Sequence, residues 1–147
     1  MLDGYLWFIL GGLRTTVAVT FAAMMVAVPV AFALGLARMS PRRFVRMAAG
    51  AVIEPFRGSS ALVQLFIAYY LLPEIGVDIS AFWTAVCILG LNLGSYDSEY
   101  VRGAFEAIAR GQKEAAIMIG LPPRVTFTRV LLPQAIPALT TQLGNAL

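Results

Sequence analysis

Hydrophobic positions in this chain come in long unbroken runs, not in the every-third or alternating spacing of a water-soluble fold. From Thr15 to Ala37 the sequence TTVAVTFAAMMVAVPVAFALGLA holds 23 residues without a charge. At about 1.5 Å per residue this is roughly 35 Å of helix, enough to cross about 30 Å of hydrocarbon. Pro29 lies inside the run, and a membrane helix tolerates it because neighbours can satisfy the freed carbonyl. Residues 47–72 form a second apolar run with Glu54, Pro55 and Arg57 near its front. Fully helical, it would measure roughly 39 Å, long for one upright crossing. Either the span tilts, or its front lies at the interface and the crossing starts near Gly58. A third run, 81–102, is apolar from Ala81 to Tyr96 and carries Asp97, Glu99 and Arg102 in its last two turns. A fourth begins at residue 135 and reaches Leu147 before a span is complete, which reads as a C-terminally truncated fragment.

Between the third and fourth runs, residues 103–134 break the pattern. GQKEAAIMIGLPPRVTFTRVLLPQ (Gly111 to Gln134) reads as a short polar helix, a stop and a second short helix. Gly120 is placed to end the first in the left-handed conformation that glycine adopts at low cost. Pro122 and Pro123 suit the start of the second, where a missing N–H is harmless, and Pro133 is expected to end it. Ala115 and Ala116 would let another backbone approach closely, and Ile117, Met118 and Leu121 would add apolar contact. Such a knob fits docking into a partner's groove. A DNA-reading helix-turn-helix shares the small residues and the turn glycine, but flanking spans argue against it.

Composition supports the membrane reading. The chain is 59% hydrophobic and 13% charged, with mean hydropathy +0.79. A soluble domain carries about a quarter charged residues. There is no histidine, which removes histidine-based metal sites and the common triads. The single Cys87, inside an apolar run, reads as packing. No catalytic residue, metal site or cofactor is expected. Eleven basic residues distribute unevenly: four in 38–46, five in 102–129, Arg57, and Arg14 in the N-terminal stretch, with none in the loop 73–80. Three crossings place both basic segments on one side. The positive-inside rule makes that side cytoplasmic, with the N-terminus outside and the knob inside.

Charged and polar residues within the runs have two readings each. Glu99 and Arg102, and likewise Glu54 and Arg57, are three apart and can pair along a helix face. They form either a cytoplasmic gate or pairs that merely position a helix end. Gln64, Asn92, Ser95, Gln142 and Asn145 either line a path for a zwitterion or hydrogen-bond between helices; Gln64 is the strongest pathway candidate. Tyr69, Tyr70 and Trp83 read as an aromatic belt. Gly35, Gly90 and Gly94 read as sites of close helix contact.

The knob also carries a spaced pattern: Glu114-Ala115-Ala116, Gly120, Val130, Leu132-Pro133. It resembles the cytoplasmic signature loop of ABC-importer permeases, with valine where isoleucine is commonest. FRGSSALVQLF (Phe56–Phe66) and GSYDSEYVRGAFEAIARGQKEAA (Gly94–Ala116) resemble stretches of the polar amino-acid subfamily, that of histidine, glutamine and arginine permeases. The resemblance runs from about Gly12 to Leu147. Ser60-Ala61, where the subfamily usually has Pro-Leu, and Asn92 look most like ectoine and hydroxyectoine permeases.

The resemblance implies an all-α membrane protein with the transmembrane fold of a type I ABC importer. It implies a multi-pass subunit of a bacterial inner membrane that forms the translocation path. Glu114, Ala115, Ala116, Gly120, Leu132 and Pro133 would couple it to a cytoplasmic ABC ATPase dimer. A second permease subunit, identical or not, and a periplasmic or lipid-anchored substrate-binding protein would complete the assembly within the membrane lipid. No nucleic acid is implied. The chain has no G-x-x-x-x-G-K-[ST] motif, so ATP would be held by the partner. A stand-alone channel or secondary transporter is the competing reading; a purely structural anchor leaves the knob without a purpose.

Overall fold

The computed structural model describes residues 2–108 and 110–145; for residues 2–6, 8, 110, 113, 138 and 141–145 it describes the backbone alone. The described residues are helical, with no strand among them. In order they form α1 (Leu2–Arg38), α2 (Arg43–Gly58), α3 (Ala61–Glu74), α4 (Ala81–Ala107), α5 (Arg110–Met118) and α6 (Pro123–Val125). A wide π-helical turn (Thr126–Leu131) and α7 (Leu132–Asn145) follow. Within α1, Ile9–Arg38 is long and apolar enough to cross a membrane by length and composition, whereas α3 is apolar but shorter.

The fold is organised on the seam between α1 and α4, which run side by side in the same direction. A Cβ added at Gly90 would lie 2.7 Å from Val26, one at Gly94 2.8 Å from the Ala27 carbonyl, and one at Gly35 2.8 Å from the Ser98 carbonyl. These are closer than real Cβ contacts, so glycine is what lets the two backbones approach. The opposing stripe repeats every fourth residue: Ala23, Ala27, Ala31 and Gly35, all four buried. That spacing keeps small residues on one helix face. Lipid tails are as apolar as leucine, so contact area at close range, rather than escape from water, favours this seam. Further down, Ala31, Val101, Ala104 and Leu139 form the buried core that brings α7 against α1 and α4, flanked by Phe32 and Phe105. Cys87, in contrast to the packing role its apolar neighbours suggest, is exposed.

Residues 47–72 are not one helix. The chain bends where Ser59 and Ser60 adopt extended backbone (ψ 157° and 135°), separating α2 from α3. α3 then returns antiparallel to α4, with Gln64 opposite Asn92 and Tyr69 near Thr84. A helix that stops leaves its last four carbonyls without partners, and side chains supply donors to the end of α2. The Ser59 hydroxyl donates to the Pro55 carbonyl (2.7 Å), the Asn92 and Gln64 amides donate to the Phe56 carbonyl (3.0 and 2.9 Å), and the Tyr96 hydroxyl donates to the Arg57 carbonyl (2.9 Å).

The second helix of the knob also differs from expectation. Pro133 does not end it. From Pro123 the chain stays helical to Asn145, and Pro133 is the second residue of α7. A proline in a helix interior deprives the preceding turn of a donor and crowds its carbonyl. Here the six residues before α7 are wound wider, and the Leu132 N–H reaches back five residues to the Phe127 carbonyl. This wider turn absorbs the disruption without breaking the helix.

Candidate functional site

Two groups of residues singled out by the sequence come together at the same end of the bundle: the knob, and a cluster of charges beside it.

The knob is a nine-residue helix, α5, closed by glycine. Gly120 has φ +76°. The Leu121 N–H donates to the Ala116 carbonyl at 3.0 Å and the Gly120 N–H to the Ile117 carbonyl at 2.9 Å. This double bond pattern with a left-handed residue between is the Schellman stop. The same device ends α3 at Gly76 (φ +82°), where Val77 and Gly76 donate to Leu72 and Pro73. Pro122 then adopts extended backbone, and Pro123 opens α6. Glu114 and Ala115 are exposed, but Ala116 is only 3% exposed and turns into the knob's own base. Close approach by another chain therefore falls to Ala115 alone. The uncovered tip is Ile117 (61% exposed), Met118 (87%) and Ile119 (75%). Ile119 escaped sequence reading because nothing in its spacing distinguishes it from a buried neighbour. Leu121 is half-buried, Leu132 is half-buried and Pro133 is exposed in the stem below.

The knob is fastened to the spans. Phe105, in the last turn of α4, stacks on Phe127 of the wide turn, with ring centroids 5.4 Å apart and planes 12° from parallel. Thr126 is buried at the same level, its hydroxyl donating to the Pro122 carbonyl. A packed aromatic pair thus joins α4 to the wide turn that follows the knob, an arrangement worth about 0.5–1.5 kcal/mol beyond its buried area.

The charge cluster centres on Glu99, whose side chain is 18% exposed. Three arginines from three helices surround it: Arg102 of α4 at 2.8 Å, Arg38 of α1 at 3.5 Å and Arg57 of α2 at 3.9 Å. Arg102 also pairs with Glu106 at 2.6 Å, and Arg38 reaches Glu54 at 3.8 Å. The expected Glu99–Arg102 pair is thus present. Glu54 and Arg57, however, turn to Arg38 and Glu99 instead of to each other. The bend at Ser59 explains this, because it directs the end of α2 onto α4. Arg57 also lies over the Tyr96 ring at 5.6 Å. The sequence does not single out Arg38: it ends a long apolar helix, and only the fold brings it beside Glu99. One oxygen of Glu99 is buried with no hydrogen-bond donor in line. Such a carboxylate is tolerable only because positive charge surrounds it.

Of the polar residues inside the runs, Gln64 and Asn92 bond to each other (3.1 Å) and both serve the bend. Ser95 is fully buried and its hydroxyl donates to the Leu91 carbonyl of its own helix. The side chains of Gln142 and Asn145 lie outside the described residues. Tyr69, Tyr70 and Trp83 are exposed around the far end of α3 and α4, Tyr69 and Tyr70 edge to face at 5.1 Å.

An all-helical membrane bundle, with small residues at its seam and a separate helix projecting from one end on a packed stem, is the class of protein that these features define. The chain belongs to the family of binding-protein-dependent transport system inner membrane components, whose sequence pattern matches residues 23–147. It is 41% identical over 139 residues to a probable amino-acid ABC transporter permease protein of Sinorhizobium fredii, a match covering 95% of this chain and 60% of that one. It is 37% identical to the L-cystine transport system permease protein of Bacillus subtilis, over 92% of this chain and 58% of that one. The chain thus spans about three-fifths of the length of the curated relatives it matches. Its fold superimposes on the crystal structure of an amino acid ABC transporter with histidines at a TM-score of 0.84 and 32% identity, covering 99% of this chain and 68% of that one. The fold is that of the membrane domain of a type I ABC importer, and the family is integral to the inner membrane.

Proposed function

We propose that this chain is a permease subunit of an ATP-driven importer for polar amino acids or a related zwitterionic solute such as ectoine, and that α5 is its coupling helix. The observation that carries this reading is the knob: an apolar tip at Ile117–Ile119 left uncovered, a glycine stop that fixes its shape, and the Phe105–Phe127 stack that ties it to α4. An exposed apolar patch on a rigid stalk needs a partner to cover it. A cytoplasmic ABC ATPase dimer is the partner that suits it, with Glu114 and Ala115 at the contact. Closure of the ATPases would push α5, and the stack would rock α4 and with it α1, opening the bundle alternately to each side.

In this reading the N-terminus is outside and the knob cytoplasmic, since the basic segments 38–46 and 102–129 share its side. A second permease subunit completes the path, and a periplasmic or lipid-anchored binding protein delivers the solute. The relatives named for L-cystine and for arginine, and the serine and asparagine positions shared with ectoine permeases, favour a zwitterion. The Glu99 cluster would act as the joint between the ends of α1, α2 and α4. A stand-alone transporter would instead need an ion-coupling acid. Asp97, beside a small cavity lined by Val28, Phe32, Tyr100 and Leu139, is its candidate.

The test is uptake by the complete transporter in vesicles. Glu114→Lys, at an exposed position of α5, is expected to abolish ATP-driven uptake and substrate-stimulated ATPase activity while insertion stays normal. Full uptake by this variant would remove the coupling role, and uptake without ATP would favour the stand-alone reading.

A further inference from the structure

α4 carries two acids two residues apart, and the fold treats them differently. Glu99 is surrounded by arginines from three helices. Asp97 has no ion-pair or hydrogen-bond partner among the described residues. Two residues turn a helix by about 200°, so Asp97 lies on the opposite side of α4 from Glu99. That side meets α7. Half-buried, Asp97 stands sixteen residues from the Ala81 end of α4, roughly 24 Å along the helix. An ionisable side chain within a membrane span is expensive, and one that is kept there marks a ligand path or has a partner.

Asp97 lines a cavity of about 90 Å³ between α1, α4 and α7. This is about three times the roughly 30 Å³ that a water occupies in the liquid, room for a small head group. Among the described residues Asp97 is the only charged one that lines it; Val28, Leu139, Phe32 and Tyr100 form most of the rest. A single carboxylate among apolar walls concentrates cations. A hard metal ion takes about six oxygen ligands or more. The only side-chain oxygens among the lining residues are those of Asp97 and Tyr100. An organic cation needs less. One carboxylate meets its charge, its carbons lie on apolar surface, and aromatic rings attract it in their own right.

We infer that Asp97, with Phe32 and Tyr100, is a subsite for the cationic nitrogen group of the transported solute. The carboxylate meets the charge of an ammonium or amidinium head, and the two aromatic residues give it an apolar flank. The site favours molecules that carry a positive nitrogen and disfavours anions of the same size. It deepens the transport reading, on which it rests, by naming a group on the solute that this chain recognises.

The test is thiol labelling of the complete transporter in vesicles, in a background free of native cysteine. Val28→Cys places a thiol in the cavity wall. The cationic reagent trimethylammonium-ethyl methanethiosulfonate is expected to modify it about tenfold faster than the anionic sulfonatoethyl reagent, each rate taken relative to a free thiol. Asp97→Asn should bring this ratio close to one, and Asp97→Glu should keep it. Methylammonium chloride should slow the cationic reagent more than sodium chloride does at the same ionic strength. A ratio that survives Asp97→Asn, or a thiol that neither reagent reaches, would overturn the site. Equal slowing by sodium would overturn the organic cation in favour of a metal ion. Labelling is read without uptake, so failure here and failure of the transport reading are separable.

Discussion

Along the α1–α4 seam the decisive residues are the smallest in the chain, and at the α5 tip they are long or branched apolar side chains left uncovered. Ala27 is 1% exposed and Met118 is 87% exposed. The seam brings two backbones so close that a single added carbon at Gly94 would stand 2.8 Å from a carbonyl oxygen. The tip side chains are largely uncovered, and backbone hydrogen bonds around Gly120 set its shape. One region is complete in itself. The other has a shape set by its glycine stop but unfinished contacts, as the proposed coupling role requires. Substitutions should therefore act differently in the two places: in the seam through stability, at the tip through whatever docks there.

The largest effect is expected in the seam. Gly94→Val would force α1 and α4 apart against Ala27 and Val30, and overpacking of this kind costs about 1–3 kcal/mol. Thermal unfolding of the full-length protein in detergent should show a lowered midpoint and loss of assembly. An unchanged midpoint would mean that the seam is looser than its geometry implies.

A smaller effect is expected where the knob turns. Gly120→Val places a branched side chain at φ +76°, a conformation that costs an L-residue roughly 1–2 kcal/mol. The space around Gly120 is open, so the strain is of the backbone alone. Protease sensitivity should rise between Met118 and Pro123 while the midpoint of the spans stays near that of the parent. A shift as large as that of Gly94→Val would erase the distinction between the two regions.

The smallest effect sharpens the comparison from within the bundle. Gln64→Leu, Asn92→Leu and the double substitution form a cycle around the bend at Ser59. Their shared hydrogen bond at 3.1 Å should show a coupling near 0.6 kcal/mol, the average for polar pairs in membrane bundles. If uptake falls while stability holds, the two amides face the solute instead of serving the bend.

Much of this was legible in the chain itself. Long apolar runs fix where helices form in a bilayer, because a backbone without water must bond to itself. The stop at Gly120 was readable because left-handed backbone there needs glycine, and the small residues Gly35, Gly90 and Gly94 were readable as contact points. The family was readable because the coupling pattern and its neighbours are spaced residue by residue. Other features depend on which parts of the chain meet. Arg38 beside Glu99, the turning of Arg57 away from Glu54, the service of Gln64 and Asn92 to the freed carbonyls of α2, and the wide turn before Pro133 all involve groups far apart in sequence or a choice between two local solutions. Local spacing determines where a helix begins, what it buries and how it stops. Which charge neutralises which, and which carbonyl takes which donor, is decided when close packing of α1 on α4 brings the ends of three helices to one place.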